Sequence, residues 1–224
     1  MAQLADTTLF NDANLQAYYK LEDATDDKNA NDLTNNGTTP FNAAKFGNGA
    51  DLGASNSTKY LSRAANLIDG NSDVSVSLWV KLQTEIASGF YTFAQIDTQT
   101  GADRYFSFAY NYNAGTRRLE LDVAGTLISY NITLGTTNWY HFVIIRNVAG
   151  NATKLYVDNV ERAAGTVGTT TAGATRYTIG AHPSPTNYSS AIIDDVAFFN
   201  KVLSVSEIAT LFAEGTSGLQ SKYW

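Results

Sequence analysis

A chain of 224 residues with no cysteine, 16% charged residues and a formal net charge of -6 excludes several classes of function at once. Thiolate nucleophiles, iron-sulfur clusters and cysteine-zinc sites are ruled out by composition, and no cluster of Lys and Arg exists to displace the counterions of a nucleic-acid backbone. The longest apolar runs, such as Phe142 to Ile145 and Val196 to Phe199, fall far short of the roughly 20 residues that span a bilayer, while the length suffices for one domain to bury a core without covalent staples.

Residues Met1 to Phe10 lack the basic start and apolar run of a secretory signal. The expected location is extracellular, on a cell surface or in a virus particle, reached after removal of a leader or by another route. Beyond this segment, period-two alternation of apolar and polar residues marks half-buried strands. In chain order it is clearest at 15–21 (LQAYYKL), 75–82 (SVSLWVKL), 105–110, 118–123 (RLELDV), 140–146, 154–158 (KLYVD), 176–180 and 192–199. Clusters such as Asn35-Asn36-Gly37, Asp69-Gly70-Asn71, Ala114-Gly115 and Ala149-Gly150-Asn151 separate these segments with residues that tolerate positive φ or bond their own backbone in turns. The pattern predicts antiparallel hairpins.

One stretch reads as a helix. Ser204 can cap it while Glu207 reaches back to the cap amide, Val205, Ile208, Leu211 and Phe212 share a face, and Gly215 is placed to stop it. The expected fold class is therefore all-β, a two-sheet antiparallel sandwich with one short C-terminal helix. It forms a single domain over 1–224, with its core at about 14–214 and a poorly anchored tail at 216–224 that ends in Trp224.

The order of segments carries a resemblance. Ala17-Tyr18-Tyr19-Lys20-Leu21-Glu22-Asp23 opens it, followed by the loop from Asp26 to Thr34, the strand Ser75 to Val80, the segment Asn138 to Arg146 with the hairpin Lys154 to Val160, and Tyr177-Thr178-Ile179-Gly180. It closes on Ile193-Asp194-Asp195-Val196, then Phe199 to Ser204 and the helix. Over roughly residues 14–214 this resembles the laminin-G-like jelly-roll family of the concanavalin A-like lectin and glucanase superfamily. The resemblance implies a jelly-roll topology, a structural calcium ion and a role in binding glycans or proteins. Trp79 and Trp139 occupy strand positions within the family-like segments and are expected to fill the sandwich core.

Calcium takes six to eight oxygen ligands in a flexible shell. Asp26, Asp27, Asn29, Asn31 and Asp32 place three carboxylates and two amides within seven residues, a density that a bound cation would offset. The resemblance adds Asp194 from the last strand as a further ligand to the same ion. Asp194 and Asp195 are strand neighbours and point to opposite faces, so Asp194, between Ile193 and Val196, is the expected ligand, and Asp195 is left to solvent or a neighbouring loop.

Some relatives in the superfamily are retaining glycosidases, whose nucleophile and acid lie on one strand in a Glu-x-Asp-x-x-Glu motif. Glu120-Leu121-Asp122 begins that motif, but Gly125 stands where the acid belongs. The chain is expected not to be an enzyme, with Glu120 and Asp122 an exposed pair of carboxylates. His141 and His182 are the only histidines and no serine lies in a nucleophile elbow. His141, between Tyr140 and Phe142 in a strand, reads as structural.

The expected function is a carbohydrate-binding or adhesion module; the alternative is a structural or protein-binding component of a cell-surface assembly or virus particle. Sugars are held by aromatic faces and planar polar groups, so the candidate ligand-binding residues are aromatics and amides in polar loops. Tyr110, Tyr112 and Asn113 form one such set, His182, Asn187 and Tyr188 a second, and Phe90 with Tyr91 after Ser88-Gly89 a third. The expected partner is a glycan or a cell-surface or virion protein.

Overall fold

The computed structural model describes residues 4, 7–53, 57–64, 72–97, 104–167, 175–182 and 187–216; for residues 104, 105 and 214–216 only the backbone is described. In chain order the strands are β1 (Leu15–Tyr19), β2 (Thr34–Asn36), β3 (Phe41–Ala43), β4 (Asn48–Asp51), β5 (Tyr60–Arg63), β6 (Val74–Leu82), β7 (Gly89–Asp97), β8 (Arg104–Asn113), β9 (Thr116–Val123), β10 (Thr126–Asn131), β11 (Tyr140–Asn147), β12 (Ala152–Val157), β13 (Val160–Gly165), β14 (Arg176–Ile179) and β15 (Ala191–Phe199). An α-helix, α1 (Val205–Thr216), follows. The first sheet runs β13-β12-β11-β6-β15-β4-β3, with β1 also on β15, and the second runs β10-β9-β8-β7-β14-β5-β2. Every pairing is antiparallel. The all-β sandwich of jelly-roll type is the fold that the strand pattern and the resemblance led one to expect.

The two sheets differ in what covers them, and that difference positions the site. Between the sheets, Val76, Leu78, Phe142, Ile144 and Phe198 of the first meet Phe93, Phe108, Leu119, Leu121 and Ile179 of the second in one core. Phe93 stacks on Phe142 at 5.9 Å and Phe108 meets the same ring edge-on at 5.1 Å. On its other side the first sheet carries a second apolar layer, in which Leu15, Tyr18, Val143, Ile145, Ala197 and Phe199 pack with Leu9, Leu203, Ile208 and Leu211. Covered on both faces, β11 and β15 read as nearly continuous apolar runs rather than alternating ones. Among the described residues the second sheet carries no such second apolar layer, and most of its outward residues on the central strands are polar.

Two-residue turns close three of the hairpins. Ala114-Gly115, Ala124-Gly125 and Asp158-Asn159 all take positive φ at both positions, between 50° and 82°, the mirror-image turn whose twist matches the strands it joins. The helix cap is as expected: the Ser204 amide donates to Glu207 Oε2 at 2.7 Å, and the Glu207 amide donates back to Ser204 Oγ at 3.3 Å. Ile208 and Leu211 are buried as their spacing requires, whereas Val205, grouped with them in the sequence, is 66% exposed. In the first turn it precedes the part of the helix that reaches the sheet. The helix also runs through Gly215 to Thr216. The remainder of the tail, with Trp224, and the cluster Asp69-Gly70-Asn71 lie outside the described residues.

Trp79 is buried but not between the sheets. It faces outward from β6, in register with His141 on β11 and Asp194 on β15, stacked under Phe212 of the helix at 6.1 Å with the Lys45 ammonium 4.4 Å from its ring. The phase of β6 decides this, since Val76, Leu78 and Val80 take the inward positions. Trp139 is half-buried and precedes β11 rather than lying in it.

Candidate functional site

The outer face of the second sheet is built from rows of residues that pair across successive strands. One row runs Phe90, Asn111, Arg118, Asn131; the next Thr92, Ala109, Glu120, Ser129; the next Thr178, Gln95, Ser107, Asp122, Leu127. The alternate rows, such as Ala94, Phe108, Leu121 and Ile128, point into the core. Among larger neighbours, the methyl group of Ala109 leaves a depression, and a groove of about 260 Å³ opens there. Thr92, Ser107, Ala109, Glu120 and Asp122 form its floor, with Phe90 and Leu127 at opposite sides. Phe90 is 40% and Leu127 54% exposed, so both offer apolar surface to a molecule lying in the groove.

The loop after β14 supplies the remaining wall. Gly180, at φ 90°, turns the chain out of the strand, and a Cβ there would lie 2.4 Å from Leu52 Cδ1, which leaves room for glycine alone. The Gly180 amide donates to the Phe93 carbonyl at 3.0 Å, the Ser189 amide to the Gly180 carbonyl at 2.9 Å, and the Thr92 amide to the Asn187 carbonyl at 3.3 Å. Ser189 Oγ donates to the Thr92 carbonyl at 2.6 Å. These bonds hold His182 and Asn187 over the edge of the floor, where both line the groove.

The two carboxylates of the floor are not alike. Glu120 is only 7% exposed; it accepts from Asn111 Nδ2 at 2.8 Å and pairs with the Arg118 guanidinium. Asp122 is half-buried and accepts the Gly125 amide at 2.9 Å. They are thus partly enclosed, not the exposed pair expected from the sequence. Gly125 stands at the second turn position with φ 82°, so the strand has already ended where a third carboxylate would be needed. The structural reason for the incomplete glycosidase motif is the tight β9–β10 hairpin.

Of the residues proposed from sequence, His182, Asn187 and Phe90 come together in the groove. Tyr110 does not: β8 directs Phe106, Phe108 and Tyr110 inward, Tyr110 is fully buried, and its hydroxyl accepts the Leu134 amide at 3.0 Å. It is a core residue, because the strand's phase continues through Tyr110 rather than giving way to a loop. Tyr91 is likewise an inward position of β7. Tyr112 is half-buried against the Arg117 guanidinium, 4.6 Å from its ring, and Asn113 is exposed at the hairpin end. Tyr188 lies against Tyr60 with 6.2 Å between ring centroids.

The acidic loop near the start is bonded extensively to the backbone around it. Asp26 is buried and accepts three backbone amides, from Tyr18 at 2.9 Å, Lys28 at 3.0 Å and Asn31 at 3.2 Å. The Asp26 amide donates to Asp32 Oδ1 at 2.9 Å, and Asp27 pairs with Lys20 at 3.1 Å. Asn29 and Asn31 both direct Nδ2 to the Gln16 carbonyl, at 2.8 and 3.0 Å, and the Tyr19 hydroxyl donates to the Asn31 carbonyl at 2.7 Å. Among the described residues no three His, Cys, Asp or Glu side chains converge as a metal ion requires. The carboxylates of Asp26 and Asp194 are thus each engaged by backbone amides.

Asp194 is instead fully buried, with Oδ2 accepting the Phe46 amide at 2.8 Å. Asp195 departs from the simple alternation of a strand: at φ 52° it forms part of a bulge in β15, is buried, and accepts the Tyr18 hydroxyl. It does not face solvent. Burial pushes the Asp194 carboxyl up to about 8, with the Phe46 amide opposing and the neighbouring Asp195 carboxylate reinforcing the rise. The folded state therefore holds a proton that the unfolded chain releases near pH 4, so this group's contribution to stability is complete at acid pH and is lost as pH rises through about 8. Between pH 5 and 8 the wild type is expected to lose roughly 1–3 kcal/mol that an Asp194→Asn variant does not lose. Urea titrations at both pH values check this; equal slopes for the two proteins would contradict it.

A two-sheet sandwich with one covered face and one open, grooved face defines the class of molecule. The chain belongs to the laminin G-type family of the concanavalin A-like lectin/glucanases superfamily, whose profile matches residues 53–209. No curated protein is significantly similar to it in sequence. Among solved structures it is similar to the binding domain of botulinum neurotoxin serotype C1, with a TM-score of 0.71 and 16% identity over 92% of this chain and 53% of that one. It is also similar to domain 4 of an extracellular arabinanase from Geobacillus stearothermophilus in complex with arabinotriose, with a TM-score of 0.65 and 21% identity over 88% of this chain and 97% of that one. A third is the binding domain of botulinum neurotoxin DC in complex with SialylT, with a TM-score of 0.67 and 13% identity over 90% of this chain and 51% of that one. The chain spans about half the length of the neurotoxin binding domains. At these identities the likeness is one of fold. Among the described residues no helix is long and apolar enough to cross a membrane.

Proposed function

We propose that this chain is a non-catalytic carbohydrate-binding module whose ligand lies in the groove on the outer face of the second sheet. The observation that carries the reading is the composition of that groove: apolar surface from Phe90 and Leu127 flanks a strip of hydroxyl, carboxylate, amide and imidazole groups. A sugar needs this combination, because its C–H faces bury against apolar side chains while its hydroxyls require polar partners at fixed positions. Similar structures in complex with arabinotriose and with SialylT support the choice of ligand class. The β9–β10 turn, which leaves Glu120 and Asp122 without the further carboxylate of the glycosidase motif, supports a non-catalytic role. The reading places the protein outside the cell or on its surface, where glycan chains are met.

Binding to an array of oligosaccharides, followed by calorimetry with and without EDTA, tests it. The expected result is binding of at least one oligosaccharide, unaltered in composition after incubation and held equally well with chelator present, since backbone amides already bond Asp26 and Lys20 pairs with Asp27. Loss of binding and of thermal stability with EDTA would assign the loop a metal after all; failure to bind any glycan would overturn the reading.

A further inference from the structure

We infer that Glu120 is the hydroxyl-reading group of the groove: the protein holds one of its carboxylate oxygens, the other accepts a hydrogen bond from the ligand, and the bound chain must present a free hydroxyl there. This rests on the carbohydrate-binding reading and names the contact by which that ligand is recognised. Asn111 Nδ2 donates to Glu120 Oε1 at 2.8 Å, and Arg118 Nε donates to the same oxygen at 2.5 Å. Oε2 receives no bond from the described residues, and Glu120 lines the floor. The register gives the reason. Asn111 and Arg118 face each other in the neighbouring row, on one side of Glu120, while across β8 its own row offers only the methyl group of Ala109.

Such a carboxylate is set before the ligand arrives. Asn111 is 2% and Glu120 7% exposed, and this contact orients Asn111, since its Oδ1 has no partner among the described residues. The Glu120 side chain therefore loses little freedom on binding, and its charged oxygen accepts a stronger bond than a neutral one would. A ligand carbon bearing hydrogen in place of the hydroxyl displaces water from Oε2 and returns no donor, which leaves a partly enclosed carboxylate oxygen unsatisfied. The selection falls on one hydroxyl rather than on the groove as a whole, because Asn187 in the wall carries an amide that can donate to other ligand oxygens.

The test takes each oligosaccharide bound on an array that carries α-1,5-arabinan, β-1,4-xylan and β-1,4-mannan fragments, and measures it by calorimetry beside forms in which one hydroxyl is replaced by hydrogen. For wild type, one such form is expected to bind about 10- to 100-fold more weakly than its parent. Glu120→Gln keeps an oxygen for Asn111 and Arg118, so the fold should persist, and those two donors turn its amide nitrogen toward the groove. A donor then stands where the acceptor was: the parent chain is expected to lose about tenfold in affinity, and the deoxy form little further. A merely structural role for Glu120 would weaken both chains alike and preserve the ratio between them. Every single-deoxy form binding within about twofold of its parent, or an undiminished ratio in Glu120→Gln, would overturn the inference and leave the module intact. Should the variant fail to fold, the wild-type series alone decides. Binding of no glycan at all would remove the reading beneath it as well.

Discussion

Replacing Asp26 with Ala is expected to lower the unfolding free energy by roughly 3–5 kcal/mol, among the largest losses any surface-loop substitution in this chain should cause. The side chain is one carboxylate shared by three backbone amides, from Tyr18 in the first strand and from Lys28 and Asn31 in the loop that follows. Charge-assisted bonds of this kind contribute about 1.5–3 kcal/mol each, and removing their common acceptor strands three donors in a partly buried setting. Water reaching the loop offsets some of the loss, which keeps the total below the simple sum. By contrast, Asp27→Ala removes a pair with Lys20 in which both side chains are more than a quarter exposed, and should cost under about 1 kcal/mol. Urea unfolding with an unchanged m-value distinguishes the two. A loss of under 1 kcal/mol for Asp26→Ala would mean that the loop is held by something else.

The second large effect is on binding. Ala109 lies in the floor between Thr92 and Glu120, 5% exposed, with its methyl group pointing away from the core. An Ala109→Phe substitution places a ring in a groove of about 260 Å³ and should weaken any glycan that binds there by about 100-fold, close to 2.7 kcal/mol. Because the new ring extends over the open face rather than into the packed interior, the melting temperature is expected to change by only a few degrees. Asn113→Ala, at the exposed end of the β8–β9 hairpin, serves as the control and should bind as wild type does. Calorimetry against one glycan identified on the array provides both values; unchanged affinity in Ala109→Phe would place the site elsewhere.

Strands whose two faces differ are legible in the sequence. RLELDV alternates because Leu119, Leu121 and Val123 enter the core while Glu120 and Asp122 face the groove. The same alternation continues in Phe90-Tyr91-Thr92-Phe93 and marks β7, which the neighbouring Ser88-Gly89 made easy to read as a loop. Short β2, with the sequence Thr-Asn-Asn, contains residues typical of turns and is strand only because β5 pairs with it. No local signal foretells the bulge at Asp195, since nothing in the run Ile193-Asp194-Asp195-Val196 itself calls for the positive φ found there. The groove was visible only in part. His182 and Asn187 stood out as loop residues, but Thr92, Ser107, Ala109 and Leu127 acquire their meaning from register across four strands, and register is a tertiary property.

Titration of isotopically labelled protein with a glycan found on the array, followed by backbone amide shifts, locates the ligand most directly. The largest shifts are expected at Thr92, Ser107, Ala109, Glu120, Asp122 and Asn187, with the Asp26 loop and the helix-covered face of the first sheet unmoved. Shifts confined to that loop, to the Tyr112–Asn113 hairpin end or to the face beneath Phe212 would contradict a binding groove on the second sheet.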